Sequence, residues 1–190
     1  FSIVTHVIHA FAWPNGDGSI SQYENMLDPD IATVVHQNGR KLLLAFGGWG
    51  NIDGFPEMVS NQENRQNFIF NLLNLFDEYG YDGIDLDWEF PATSVETNNL
   101  TLLVGELRDA FDNVNPEYMI TMAVGPSSWS GQNFQYEIMN ENLDWFSMMG
   151  YDFHGGWTNH AGHNAPLYQS PPGDPDGSIH TGVNYLLNTR

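Results

Sequence analysis

Three acidic residues stand at alternate positions in one short apolar stretch of this sequence. Asp85, Asp87 and Glu89 are separated only by Leu86 and Trp88. Alternate side chains of an extended strand point to the same side, so the three carboxyl groups would share one face. Neighbours on that face lie about 6.6 Å apart, so the carboxylates repel one another and at least one should hold a proton near neutral pH. A protonated carboxyl group can act as a general acid.

The end of the stretch places the third acid at a particular point of the fold. Pro91 follows Glu89 by two positions, and because proline cannot donate to a sheet ladder, the strand should end there. Parallel α/β barrels carry their active sites at this carboxyl end of the strands. An exposed edge strand is disfavoured by the apolar residues on the other face. A calcium loop is disfavoured because it needs a turn glycine and a flexible backbone, and we predict no metal among the acids.

The composition excludes several classes of partner. Five Lys and Arg against 24 Asp and Glu give a formal net charge of -19, which repels nucleic acid and anionic membranes. The chain has no Cys, which excludes disulfides, thiolate metal sites and a Cys nucleophile. No run of roughly 18 apolar residues is present, so we predict no membrane span. Aromatic residues make up 14% of the chain and suit stacking on flat apolar ligand faces such as those of sugar rings.

Strand-like and helix-like segments alternate along the chain. Helices are predicted from Asp28-Pro29 to Gly39, from about Asn61 to Gly80, and over the shorter stretches 100–111, 136–139 and 181–188. Alternation of this kind predicts parallel strands with right-handed crossovers, in either a doubly wound sheet or an eight-stranded barrel. A complete barrel needs roughly 250 residues, so five strands in 190 residues predict part of a barrel. No linker in the sequence suggests a second domain. The predicted strands are 3–12, 41–46, 81–88, 119–124 and 143–151.

One long irregular segment, 152–177, is rich in Gly, Pro, His and Asn. Its length is typical of a functional loop. His154, His160 and His163 have spacing that invites a zinc site, but the sequence shows no carboxylate at ligand spacing and no strand to fix them. We therefore predict that these histidines organise the loop by hydrogen bonding, and we expect neither a metal nor a cofactor.

The run Asp82-x-x-Asp85-x-Asp87-x-Glu89 resembles the signature of glycoside hydrolase family 18, the chitinases and their relatives. The resemblance implies a TIM-type (β/α)8 barrel present from about strand 2 to strand 6, with residues 1–190 forming one partial catalytic domain. The family's third strand usually reads Ser-x-Gly-Gly, where this chain has Ala45-Phe46-Gly47-Gly48. That serine supports the acids by hydrogen bonding, so its absence should retune them rather than abolish catalysis. The other matching segments are 5–12, 45–49, 119–126, 149–152 and 161–167.

The resemblance also implies a retaining mechanism in which the substrate supplies the nucleophile. Glu89 would protonate the glycosidic oxygen and later activate water. Asp87 would hold the acetamide N–H of the substrate and share a proton with Asp85. Tyr151 would hydrogen-bond the acetamide oxygen, although without its context a buried core phenol would be the simpler interpretation.

Further residues are expected to bind substrate or to shape the site. Trp49 would stack on a sugar on the leaving-group side, and Asp152 and Met149 flank Tyr151. Phe11 and Trp13 could line the opposite side or could equally be packing residues. Structural roles in the motif are expected for Asp82, Gly47 and Gly48.

Three functions are compatible with these features to different degrees. A chitinase is favoured, with chitin or chito-oligosaccharides as the ligand, and we expect a secreted monomer whose signal segment is not in this chain. An endo-β-N-acetylglucosaminidase acting on N-glycan cores would share the same acids. A non-catalytic chitin-binding lectin is disfavoured because Glu89 is present. A nucleotide-binding protein is excluded because no Gly-x-Gly-x-x-Gly follows a strand.

Overall fold

One six-stranded sheet organises the structure, a computed structural model that describes residues 2–189. The strands follow the order β2-β1-β3-β4-β5-β6, in which β2 runs antiparallel to β1 and every other neighbouring pair is parallel. The parallel strands therefore lie in chain order without the reversal of a doubly wound sheet, as in consecutive strands of an α/β barrel. The strands are β1 (His6–Pro14), β2 (Ile20–Gln22), β3 (Lys41–Gly47), β4 (Gly83–Asp87), β5 (Met119–Val124) and β6 (Trp145–Met148).

Helices follow the parallel strands, and their ends obey local rules of capping. Asp28, Asn61 and Thr93 each accept a hydrogen bond from a backbone N–H of the first turn that follows, which satisfies a donor without an intrahelical partner. Gly80 ends α3 with φ +76, a conformation that favours glycine. The helices described are α1 (Pro29–Gln37), α2 (Phe55–Ser60), α3 (Gln62–Tyr79), α4 (Ser94–Val114), α5 (Ser128–Gly131), α6 (Tyr136–Met139) and α7 (Ile179–Asn188).

The core lies between the sheet and helices α2, α3 and α4. On β4, Ile84 and Leu86 are fully buried in this core, and Trp88 just beyond the strand stacks on Phe55 with ring centroids 5.1 Å apart. Because side chains alternate along a strand, the acids of β4 point away from the helices. Within residues 2–189, no helix is long and apolar enough to cross a membrane.

Three short elements were not predicted from the sequence: β2, α2 and α5 have three, six and four residues. Elements of this length are too short for an apolar repeat to emerge. The hairpin between β1 and β2 depends instead on polar contacts, since Asn15 donates from Nδ2 to the hydroxyls of Ser19 and Ser21 at 2.9 and 3.0 Å. The predicted boundaries of β1, β4 and β6 also differ from the observed ones by a few residues.

Asp82 joins three elements at the amino ends of the strands. Its carboxylate contacts Lys41 Nζ at 2.9 Å and His36 Nε2 at 2.7 Å, and it accepts from the Leu42 backbone N–H at 2.8 Å. Burial alone would raise the pKa of Asp82, but these hydrogen bonds and the Lys41 charge outweigh it and lower the pKa. Asp82, which directly precedes β4, therefore links α1 and β3 to β4.

Candidate active site

The three acids of the sequence motif gather at the carboxyl end of β4. Asp85 and Asp87 belong to the strand and are 5% and 8% exposed, and the half-buried Glu89 follows two residues beyond its end. Burial, followed by the negative charges of Glu89 and Asp85, raises the pKa of Asp87 to about 7. Burial therefore contributes more to this raised pKa than the repulsion between neighbouring acids on which the sequence argument relied.

Asp85 is held from one side by a hydroxyl that the sequence reasoning missed. The fully buried Thr121 of β5 donates its Oγ1–H to the Asp85 carboxylate. The register places Thr121 on one side of Asp85 and Ala45 of β3 on the other. Burial raises the pKa of Asp85, and the Thr121 hydrogen bond partly opposes the rise. In the sequence, Thr121 is a polar residue between the apolar Ile120 and Met122, which could have marked it as functional. Only the strand register makes it a neighbour of Asp85.

Asp87 differs from Asp85 in its polar contacts. Its Oδ1 atom is buried and has no hydrogen-bond partner among residues 2–189. A buried carboxylate oxygen without a partner is costly in a folded protein. Asp87 lies between two other acids, Asp85 and Glu89, so its nearest neighbours on this face offer no donor to that oxygen.

Glu89 is oriented by the turn that follows β3. The backbone N–H of Trp49 donates to the Glu89 carboxyl group. Burial raises the pKa of Glu89 most strongly, the Trp49 N–H lowers it by a smaller amount, and the charge of Asp152 raises it by less still. The net pKa of Glu89 lies above its ordinary value, which favours the protonated form that a general acid requires.

Two glycines allow the ends of β3 and β4 to meet. Gly47 has φ +114, and a Cβ atom there would lie 2.1 Å from the carbonyl oxygen of Asp87. The Gly48 N–H donates to that same oxygen at 2.9 Å, and a Cβ on Gly48 would meet the ring of Phe11 at 3.0 Å. The turn thus places the Trp49 N–H on Glu89 and leaves the Trp49 side chain exposed.

Tyr151 lies just beyond β6, near enough to the acids for their charges to raise its pKa. The Met149 N–H still pairs with the Val124 carbonyl oxygen at 2.9 Å, one residue past the strand. Tyr151 is half exposed, and its pKa is raised by burial and then by the charges of Asp87 and Glu89. Asp152 has φ +58 and accepts from Asn164 Nδ2 at 2.7 Å. The structure therefore brings Tyr151 and Asp152 to the acid row.

The remaining predicted residues divide by position. Phe11 packs against Gly48, whose N–H bonds to the Asp87 carbonyl oxygen. Trp13 is partly buried and makes an edge contact with Tyr23 at a centroid distance of 5.0 Å. It borders a cleft of about 410 Å³ that Asn51 and Glu57 also line. Asp82 precedes β4, whereas Asp87 ends it, so the strand separates Asp82 from the acid row.

The loop histidines have neighbours that the sequence did not reveal. His154 and His160 lie against Asp174 and Asp176, which come from the far end of the same loop. The sequence has no carboxylate at ligand spacing from these histidines, but the loop folds back over about twenty positions of chain and brings two carboxylates to them. His163 has an exposed side chain, and its carbonyl oxygen contacts His154 Nδ1 at 2.9 Å.

The sequence matches known proteins over almost its whole length. The sequence model for glycosyl hydrolases family 18 matches residues 2–190. Probable chitinase 10 of Drosophila melanogaster is 31% identical over an aligned length of 205 residues, and the alignment covers 98% of this chain and 9% of that protein. Chitotriosidase-1 of Mus musculus is 32% identical over 182 residues, which cover 88% of this chain and 39% of that protein.

The fold is similar to that of solved chitinase structures. Catalytic domain 2 of the Ostrinia furnacalis Group II chitinase superposes with a TM-score of 0.89 at 30% identity, covering 99% of this chain and 54% of that one. A mutant of the same domain, solved in complex with penta-N-acetylchitooctaose, (NAG)5, superposes with a TM-score of 0.88. This chain therefore spans about half the length of that domain, and the predicted barrel fold class is confirmed.

Proposed function

This chain belongs to glycoside hydrolase family 18, and from that premise we propose that it carries the catalytic acids of a chitinase, which hydrolyses β-1,4 linkages between N-acetylglucosamine units. The observation that carries the proposal is the row of buried and half-buried acids, with Asp87 at a pKa of about 7 and the pKa of Glu89 raised. The proposal includes chitin or chito-oligosaccharides as ligand, secretion and a monomeric state.

Glu89 is the proton donor and acceptor in this proposal. Its protonated carboxyl group gives a proton to the glycosidic oxygen as the bond to the anomeric carbon breaks and the leaving sugar departs. The acetamide oxygen of the substrate attacks the anomeric carbon from the opposite face, which forms a cyclic oxazolinium intermediate. Glu89, now a carboxylate, removes a proton from water as the water opens this ring, and the configuration is retained.

Asp87 and Asp85 stabilise the positive charge of that intermediate. The Asp87 Oδ1 atom without a partner would accept the acetamide N–H, which orients the attacking oxygen. Asp85 stands behind it with its Thr121 hydrogen bond and takes up a proton from Asp87 when negative charge is needed nearer the substrate. Because the two carboxyl groups titrate together, their pKa values belong to the pair.

Tyr151 and the aromatic residues position the sugar. The half-exposed phenol of Tyr151 would donate its O–H to the acetamide oxygen, and Asp152 and Met149 frame it. The exposed Trp49 would stack on a sugar ring on the leaving-group side. Phe11 and Trp13 would contact sugars on the opposite side.

Replacement of the acid tests this assignment. Glu89→Gln removes the transferable proton but keeps the shape, so turnover of chitin oligomers should fall at least about 100-fold with little change in oligomer binding. Glu117→Gln is the matched control, because Glu117 is exposed and lies at the opposite end of β5. Both variants are made in the protein at its natural length and assayed by product formation and by titration calorimetry.

Two results would contradict the proposal. Turnover of Glu89→Gln near that of Glu117→Gln would remove Glu89 from its role. Cleavage of a high-mannose glycoprotein together with no cleavage of chitin oligomers would replace the chitinase by an endo-β-N-acetylglucosaminidase that uses the same acids.

A further inference from the structure

Four potential metal ligands converge inside the loop that follows β6. His154 Nε2 and His160 Nε2 lie 3.2 Å apart. Asp174 Oδ2 lies 3.2 Å from the first and 3.4 Å from the second, and Asp176 Oδ2 lies 3.5 and 3.4 Å from them. His154 and Asp174 are buried, whereas His160 and Asp176 are partly exposed.

Five of the six separations among these atoms match the edges of a coordination tetrahedron, and all four atoms lie within 4.8 Å of one another. Zinc binds histidine nitrogen and carboxylate oxygen at about 2.0 to 2.2 Å, so its tetrahedral ligands lie about 3.3 to 3.6 Å from one another. The five distances above fall between 3.2 and 3.5 Å. A single ion can therefore be placed among the four atoms once the two carboxylate oxygens adjust to it.

The contact that each imidazole makes through Nδ1 determines which of its two nitrogens carries the proton. His154 Nδ1 lies 2.9 Å from the carbonyl oxygen of His163, and His160 Nδ1 lies 3.0 Å from Asn159 Oδ1. Both oxygens only accept hydrogen bonds, so the proton of each neutral imidazole belongs on Nδ1. Each Nε2 then presents a lone pair to the centre of the cluster, which is the arrangement of metal-bound histidine.

An independent observation comes from Asp176. Its Oδ2 atom is buried and makes no hydrogen bond among residues 2–189, although both imidazoles stand within 3.5 Å. Protonating both histidines would supply donors, but it would also set two cationic N–H groups face to face at 3.2 Å. A cation at the centre satisfies all four acceptor atoms at once.

We propose that His154, His160, Asp174 and Asp176 form a binding site for a zinc-type divalent cation. Two imidazoles with two carboxylates suit zinc better than calcium or magnesium, which prefer all-oxygen shells. Asp174 is already oriented, because its Oδ1 accepts the Asp176 backbone N–H at 2.9 Å.

The site is structural rather than catalytic in this proposal. All four tetrahedral positions come from the protein, so no position is open for substrate or water. The ion would join the start of the loop to its end just before α7. Because His154 follows Tyr151 and Asp152 closely, the ion would hold the backbone that presents them to the acids.

The test measures zinc binding by the protein at its natural length after treatment with a chelator. We expect titration calorimetry to give one Zn²⁺ per chain and added Zn²⁺ to raise Tm. His160→Gln and Asp176→Asn should each weaken binding at least about tenfold and abolish the rise in Tm. His163→Gln is the matched control, since it removes an exposed imidazole of the same loop and should bind Zn²⁺ like the unmodified protein.

Circular dichroism of the metal-free variants checks that each has folded. Both replaced ligands are partly exposed, so the substitutions should cost little folding stability. The proposal is overturned if the unmodified protein binds no Zn²⁺, in which case the cluster is a set of His–Asp ion pairs. It is also overturned if folded Asp176→Asn and His160→Gln bind Zn²⁺ as tightly as His163→Gln does.

Discussion

At the scale of single residues, four acids within eight positions of sequence acquire different properties from their surroundings. Asp82 has a lowered pKa because Leu42, His36 and Lys41 donate to it. Asp87, five positions later, has a pKa raised to about 7 by burial and by its acidic neighbours. Two aspartates thus differ by position: the one before β4 is held ionised by its donors, and the one at the end of β4 has a pKa at which it can exchange a proton near neutral pH.

The raised pKa of Asp87 predicts how its replacement changes stability with pH. The folded pKa, about 7, lies above the ordinary 3.8, so the folded protein binds more protons in this window and loses stability as pH rises through about 7. Asp87→Asn removes this penalty, and at pH 8 we expect its free energy of unfolding to exceed that of the unmodified protein by at least about 1 kcal/mol, roughly 2 to 4 °C in Tm.

The difference should shrink as pH falls toward the ordinary pKa of 3.8, because below it the unmodified side chain is protonated in both states. Thermal unfolding from pH 4 to 8 measures it, with the exposed Asp109→Asn as the control that shows no such trend. An Asp87→Asn protein less stable than the unmodified one at pH 8 would contradict the burial argument.

At the scale of elements, the acid site depends on how closely the ends of β3 and β4 approach. The Gly48 N–H bonds to the Asp87 carbonyl oxygen, and the next residue, Trp49, donates its N–H to Glu89. A turn with side chains at Gly47 and Gly48 would separate these strand ends. The glycines therefore set the position of the acid although neither carries a functional group.

Comparing Gly47→Ala with Gly50→Ala separates the cost of an unfavourable φ from the cost of a steric overlap with neighbouring backbone. Both glycines have positive φ, +114 and +91, but only Gly47 has backbone within 4 Å of the added Cβ. We expect Gly50→Ala to cost about 1 to 2 kcal/mol for the unfavourable φ. Gly47→Ala should cost at least about 3 kcal/mol, because its Cβ would overlap the Asp87 carbonyl group.

Urea unfolding of the two variants measures these costs. Equal losses of stability at the two positions would show that the close approach of β3 to β4 is not what requires glycine at Gly47.

At the scale of the whole molecule, acidic residues far outnumber basic ones. The chain has 24 Asp and Glu against five Lys and Arg, so the carboxylates outnumber the Lys and Arg side chains nearly five to one. Lys41, Arg65 and Arg108 each form an ion pair with a carboxylate. A net charge of -19 makes the compact state repel itself, which lowers its stability.

This charge predicts that salt stabilises the protein. Raising the ionic strength from about 0.01 M to about 1 M shortens the screening length from about 30 Å to about 3 Å. Repulsion between carboxylates then weakens more than the few ion pairs do, so Tm should rise. NaCl and KCl should act alike because screening does not depend on the ion's identity, and a Tm that falls with salt would contradict this view.

The sequence by itself determined the features that depend on local periodicity. Alternation placed Asp85 and Asp87 on one face of β4, and the strand ends before Pro91, at Asp87. Capping residues such as Asp28 and Gly80 marked where α1 begins and α3 ends. These patterns act over a few neighbouring residues, so they can be read without knowledge of the fold.

Only the tertiary structure decided which distant groups meet. Thr121 contacts Asp85 because of the register between β4 and β5, and the Trp49 N–H reaches Glu89 because two glycines allow the strand ends to approach. Asp174 and Asp176 meet His154 through the path of a long loop with no repeat of its own. Such contacts join segments far apart in the chain, and because their geometry is set by packing, no local pattern in the sequence specifies them.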